Sequence, residues 1–284
     1  MSLQVRATGP LTLVEDRGRL GLAHLGVPRA GALDGPAAAL ANRLVGNDVD
    51  AAVLEVVLGG LEVTTDEACW VAVTGAPAPV VVDGVARGHG RAERLAPGAT
   101  LRLGRPRVGV RTYVAVGGGI AVEPVLGSRS TDTLAGVGPP RVSAGDRLPV
   151  GPAGAAPRPL DTPAGPRPGP LRVVPGPRAD WFAADAFEVL CGSPYVVEAD
   201  SNRVGLRLGG PAVPRVRDDE LPSEGMVLGA VQVPPSGRPV VFLADHPPTG
   251  GYPVLAVVHP DDLWRCAQLR PGEEVRFSPG AARA

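Results

Sequence analysis

Short runs of alternating apolar and polar residues, punctuated by glycine and proline, recur along most of the chain. Leu3–Val14 contains two strand-like runs broken by Gly9-Pro10. Val53–Leu58, Leu61–Thr65, Cys69–Thr74, Val80–Asp83, Ala99–Leu103 and Arg111–Val116 follow as candidate strands, with Asp83-Gly84 as a strong hairpin signal. Further on, Leu171–Val174, Val204–Leu208, Val254–Val258 and Glu274–Phe277 have the same character. Met226–Val233 and Pro239–Ala244 read as a hairpin turned by Pro234-Pro235-Ser236-Gly237. The period lengthens in only three places. Asp34 is a good N-cap for a helix over Ala37–Val45, with Pro36 tolerated in its first turn and Gly46 ending it. Ala179–Leu190 and Asp261–Leu269 are the other two, and the first places Trp181, Phe182, Phe187 and Leu190 at core spacing. Many short strands with few short helices predict a mainly β protein of barrels or sandwiches.

Gly151–Pro170 interrupts the pattern with seven prolines, four glycines and almost no large apolar residue. It reads as a semi-rigid spacer between a β-barrel-like domain at 1–150 and a second domain at 171–284. Gly and Pro together make about a quarter of the 284 residues, yet 44% are hydrophobic, which favours a folded, turn-rich protein over low complexity. The formal net charge is −1 with arginines scattered throughout, which argues against a nucleic-acid footprint. Cys69, Cys191 and Cys266 are widely spaced, without C-x-x-C, as expected for a reducing compartment. No run approaches ~18 apolar residues and the N-terminus lacks a signal-peptide core, so the expectation is a soluble, cytoplasmic protein away from membranes.

All 28 basic residues are arginine. The chain therefore offers no lysine for a Schiff base, a P-loop or attached biotin. It has neither G-x-S-x-G nor H-E-x-x-H, and His24, His89, His246 and His259 are dispersed, so no metal site is expected. The remaining chemistry is a set of polar groups at the ends of apolar strands: carboxylates (Asp34, Glu224, Asp245), amides (Asn202, Gln232), and arginines in the polar turns Gly127–Asp132 (Arg129) and Asp200–Gly205 (Arg203). Asp245 opens a glycine-rich loop running through Thr249 to Tyr252, whose backbone can approach a ligand closely. Such a set suits a small polar substrate with anionic groups. Arg129, between two serines, is either part of a satisfied turn or a clamp for a carboxylate or phosphate.

The segments EDRGRLGLAHLGVPRAGALD, LANRLVGN, YVAVGGGI, PVLGSRST, SNRVGLRL, SEGMVLGAVQVPP, LADHPPTGGYP and AQLRPGEEVRF carry a closer likeness. Together they resemble the KipA-type, biotin-dependent carboxyltransferase-like family, which includes the C subunit of bacterial 5-oxoprolinase, proteins labelled allophanate hydrolase subunit 2, and part of the urea carboxylase carboxyltransferase domain. The resemblance implies two cyclophilin-like β-barrel domains. It also implies ATP-dependent opening of 5-oxoproline to L-glutamate, in a complex that holds the KipI-type B subunit plus the A subunit. In that reading ATP is bound by the complex, and biotin enters only if another chain carries it. Asp245, Glu224 and Arg203 would be catalytic or orienting groups, while Asn202, Gln232, Thr249, Tyr252, Arg129 and Asp34 would bind substrate. A carboxyltransferase component for urea or a similar amide, and a non-catalytic partner antagonising a KipI-type kinase inhibitor, are the alternatives. The chain departs from the family pattern at Pro247, Pro248 and Val254, where relatives usually carry an amide, a threonine and a lysine.

Overall fold

A computed structural model describes residues 1–154, 156–157 and 169–281, and these form two compact units. The first takes its residues from Met1–Leu20, Ala30–Asp132 and Gly136–Gly165; the second takes them from Gly21–Arg29, Thr133–Ala135 and Pro166–Ala284. The units are therefore not contiguous in sequence, since two short excursions from the first half are built into the second unit. Most of the spacer anticipated at 151–170 lies outside the described residues.

The first unit is built on two sheets. One runs in the order Arg147–Pro149, Ser2–Thr8, Leu61–Thr65, Thr100–Leu103, Val80–Val82, Val85–Arg87, and the other runs Leu11–Glu15, Val53–Val57, Arg111–Val116, Cys69–Gly75, Ala92–Leu95. Alternation chooses the inner face: Leu61, Val63 and Thr65 point inward while Glu62 and Thr64 are half-buried. Leu3, Val5, Leu54, Val56, Leu101 and Val114 from both sheets meet in one core. Removing each such side chain from water contributes about 1.5–3 kcal/mol. The helix Gly35–Leu44 starts where the cap predicts, with the Ala37 N–H donating to Asp34 Oδ1 at 3.0 Å, and it lays Ala37, Ala41 and Leu44 on Tyr113 and Ala115. Glycine is obligatory where three loops touch. A Cβ on Gly9 would fall 1.9 Å from the Gly59 carbonyl oxygen, and one on Gly59 would fall 2.2 Å from that of Gly104.

The second unit holds a closed seven-strand barrel in the order Leu171–Pro175, Val254–Val258, Ala230–Gln232, Val240–Phe242, Gly205–Gly209, Pro194–Val197, Glu274–Pro279. Antiparallel pairs make most of the wall, and the first and last strands close it in parallel, Leu171 opposite Phe277. Tyr195 and Phe277 meet edge-to-face with centroids 5.9 Å apart, and Val173, Val231, Val241 and Leu208 are fully buried. The mainly β expectation therefore holds, with the barrel in the second unit.

Two helix assignments need correction. Ala179–Leu190 is a 3₁₀ turn at Ala179–Trp181 and a helix at Ala186–Gly192, because Phe182 is extended and bridges Arg215. Trp181 and Phe182 are still core, while Phe187 is only half-buried. Asp261–Leu269 shrinks to a 3₁₀ turn at Pro260–Asp262 and one α turn at Leu263–Cys266. The Pro234–Gly237 turn is as anticipated, but the strand before it is regular only over Ala230–Gln232.

Candidate functional site

Asp245 is the centre of the second unit's polar chemistry. The ladder between Gly205–Gly209 and Val240–Phe242 ends at the pair Gly205–Phe242, but pairing continues irregularly beyond it. The Leu243 N–H donates to the Val204 carbonyl at 3.0 Å, and the Asp245 N–H donates to the Arg203 carbonyl at 3.1 Å. This continuation sets the two side chains face to face. Arg203 donates from Nε to Oδ2 at 3.0 Å and from Nη2 to Oδ1 at 2.9 Å, a two-pronged contact that fixes the guanidinium plane. Thr133 adds its N–H and its hydroxyl to Oδ2, at 2.9 and 2.6 Å. Asp245 is fully buried and Arg203 is 2% exposed. With three donors on one oxygen and one on the other, Asp245 acts as a fixed acceptor that sets the direction of Arg203.

The turn feeding Arg203 into this contact is made by Asn202, whose Oδ1 accepts from the Val204 N–H at 2.8 Å and the Gly205 N–H at 3.4 Å. That is an Asx turn, so the Asn202 amide oxygen is occupied by its own backbone. After Asp245, the His246 ring stacks on Phe242 with centroids 5.6 Å apart, and its Nδ1 lies 2.7 Å from the Pro247 carbonyl.

A second group gathers on the loop that follows. Glu224-Gly225 pairs with Thr249-Gly250 as a two-residue ribbon, and the Met226 N–H donates to the Pro248 carbonyl at 2.8 Å. Glu224 forms an ion pair with Arg178. Gln232 is buried and donates from Nε2 to the Tyr252 carbonyl at 3.0 Å. A Cβ on Gly250 would lie 3.0 Å from that same Nε2, which is why a glycine belongs there. Thr249 and Tyr252 are exposed. The structure thus joins Asp245 with Arg203, and Glu224 and Gln232 with the Thr249–Tyr252 loop.

Arg129 and Asp34 belong to the first unit, and each has a local task there. Asp34 caps the helix, and its own N–H donates to the Tyr113 hydroxyl at 2.8 Å. The Arg129 side chain donates from Nε to the Val122 carbonyl at 2.7 Å. The loop around it is organised by Asp16, which accepts from the Ser128 and Ser130 hydroxyls and the Arg129 N–H, each at 2.6 Å, and from the Gly18 N–H at 2.8 Å. Burial raises the Asp16 carboxyl, but these donors outweigh it and hold the group below the ordinary carboxylate range.

Three functional or structural centres were not visible in the sequence. Thr133 is one, and the Asp16 clasp is another. The third is Glu55, fully buried on Val53–Val57, which meets Arg111 Nε at 3.2 Å, the Tyr113 hydroxyl at 2.8 Å and the Leu33 N–H at 3.1 Å. Burial first, then the neighbouring Glu55 and Asp34 charges, push the Tyr113 hydroxyl well above its usual value. Among the described residues no group of three or more His, Cys, Asp or Glu side chains is arranged to hold a metal ion, and no helix is long and apolar enough to cross a membrane.

One unit is thus a closed barrel that carries a buried Asp–Arg pair and a glycine-rich loop, and the other is built on two sheets. Residues 25–279 match the model of the family described as carboxyltransferase domain, subdomain A and B, and the chain belongs to that family. It is 38% identical to the C subunit of 5-oxoprolinase from Escherichia coli (strain K12), over 97% of this chain and 90% of that protein. Among solved structures it resembles TTHA0988, with a TM-score of 0.88 and 41% identity, covering 98% of this chain and about half (55%) of that one. It also resembles the urea amidolyase of K. lactis, with a TM-score of 0.90 and 29% identity, covering 99% of this chain but only 19% of that one.

Proposed function

We propose that this chain is the C subunit of an ATP-dependent 5-oxoprolinase, working with the KipI-type B subunit plus the A subunit to open 5-oxoproline to L-glutamate. The observation that supports this reading is a match spanning 97% of this chain and 90% of a 5-oxoprolinase C subunit; the urea amidolyase match spans only 19% of a much larger chain. In this reading Arg203, aimed by Asp245, receives the substrate's carboxylate or a developing oxyanion. The Thr249–Tyr252 loop, buttressed by Gln232, closes on the ring, and Glu224 orients or exchanges a proton once Arg178 yields to substrate. ATP is handled by the complex, because a chain without lysine has no P-loop lysine.

The test is reconstitution. The three co-expressed proteins should elute together, and ATP hydrolysis should rise with 5-oxoproline. Turnover by the isolated chain, or separate elution at micromolar concentration, would overturn the assignment.

The family to which the chain belongs favours one second reading, transfer of a carboxyl group to urea or a similar amide from biotin carried on another chain. Carboxylation of urea by a mixture containing a biotinylated carrier, with no response to 5-oxoproline, would select it. Tight association with the KipI-type chain and no turnover of either substrate would instead select the role of a non-catalytic antagonist.

A further inference from the structure

Arg19 is an arginine that the site in the second unit does not use. It lies in the first unit, where it is 3% exposed. Its Nε donates to the Val125 carbonyl at 3.1 Å, and its Nη2 donates to the Ser130 carbonyl at 2.6 Å. A role as a staple for the loop at 125–130 explains those two contacts. It does not explain Nη1, which is buried and has no hydrogen-bond partner among the described residues. The residue after Ser130 repeats the pattern: Thr131 is 5% exposed and its hydroxyl is buried without a partner among the described residues, although its N–H donates to the Val14 carbonyl at 3.0 Å.

Charge sharpens the point. Among the described residues no carboxylate forms an ion pair with Arg19. The nearby Asp16 carboxylate already accepts four hydrogen bonds from its own clasp. Carbonyl dipoles alone compensate a buried cation poorly, and leaving such a charge unpaired is costly. The backbone is also shaped around the guanidinium. Gly138 has φ +105°, and a Cβ there would fall 2.5 Å from Arg19 Nη2 and 2.1 Å from the Ser130 carbonyl oxygen. A tightly moulded, buried guanidinium with a spare N–H pair, and a spare hydroxyl on the residue that follows the Ser130 carbonyl it holds, match the needs of a small oxyanion.

We propose that Arg19 and Thr131 form an anion-binding site of the first unit for a carboxylate or phosphoryl group. This inference stands whether or not the chain belongs to an oxoprolinase. It also moves the anion-binding role suggested for the Gly127–Asp132 turn from Arg129, whose side chain reaches Val122, to Arg19.

The test is calorimetric titration of the full chain with inorganic phosphate and with acetate, at constant ionic strength. Wild type and the variants Arg19→Gln, Thr131→Val and Arg141→Gln would be compared, the last removing an exposed arginine. Saturable binding to wild type and Arg141→Gln, weakened at least ~10-fold in the other two, is the expected result. The tighter of the two ligands identifies the head group. Thr131→Val is the safeguard if Arg19→Gln does not fold: removing an unpaired buried hydroxyl should leave the ligand-free melting temperature unchanged or higher, while anion binding is lost. No saturable binding, or equal binding by all four proteins (an adventitious ion only), would overturn the proposal.

Discussion

Each unit pairs a completely buried carboxylate with an arginine, Glu55 with Arg111 in the first and Asp245 with Arg203 in the second, but in different settings. Glu55 sits inside a regular ladder, opposite Leu13 on one side and Tyr113 on the other, and two of its donors, Arg111 and Tyr113, are on the adjoining strand. Asp245 sits just past the last ladder pair of its strand, and its donors come from a turn at Arg203 and from Thr133, 112 residues away in sequence. The first network is welded into a sheet, so disturbing it disturbs the sheet. The second holds an arginine where regular structure has stopped and the chain enters an exposed loop. The same pair of functional groups thus serves stability in one unit and orientation at a loop in the other.

The largest test of this contrast is to remove each arginine. Arg111→Ala and Arg203→Ala each strand a fully buried carboxylate and should each cost about 3–5 kcal/mol in urea unfolding. Their activities should diverge. Per folded molecule of reconstituted complex, the Arg203 variant should lose at least ~100-fold in turnover, while the Arg111 variant stays near wild type. Arg203→Lys, which keeps charge without the fork, serves if the alanine form does not accumulate. Equal activity losses would erase the distinction.

Removing single hydroxyls gives a smaller effect. Tyr113→Phe deprives both Glu55 and the Asp34 N–H of a partner and should cost about 1–3 kcal/mol. Thr133→Val leaves the backbone N–H on Asp245 and should cost about 1 kcal/mol, yet raise KM more than Tyr113→Phe does. The reverse order in KM would put the functional centre in the wrong unit.

Smallest is the half-buried Asp16, whose donors depress its carboxyl in the folded protein. A depressed carboxyl contributes stability that is present above its unfolded value, near ~3.9, and lost as pH falls through the folded value. Wild type should therefore exceed Asp16→Asn in stability at neutral pH, and the two curves should converge below about pH 4. Curves that stay parallel in acid would show that the clasp does not depend on charge.

Much of the framework was legible because short apolar runs are bounded by turn residues; Leu61–Thr65, which alternates inward and outward, and Arg111–Val116, which is buried throughout, both fall where the pattern puts them. The Asp34 cap was legible too, since capping is local chemistry. The Ala179–Leu190 helix was over-read because Phe182 satisfies its backbone by bridging Arg215, a contact that periodicity cannot register. Arg203 and Asp245 could be named from their turns, but not their mutual contact, and nothing around Thr133 announces that it reaches Asp245. Glu55 was hidden by its setting in a run of Val and Leu, where a charge looks outward-facing until its three partners are seen. Distance along the chain, more than weak local signal, separates what could be read from what could not.

The parallel seam between Leu171–Pro175 and Glu274–Pro279 has a consequence for biosynthesis. The strand that completes the barrel is synthesised after every other strand of the wall, so the wall stands open until it emerges from the ribosome. Contacts this distant in sequence also form slowly. During that interval the Leu171 and Pro194 strands offer unsatisfied edges to any neighbouring nascent chain. A chain released before Val275 and Phe277 would keep those edges exposed for good.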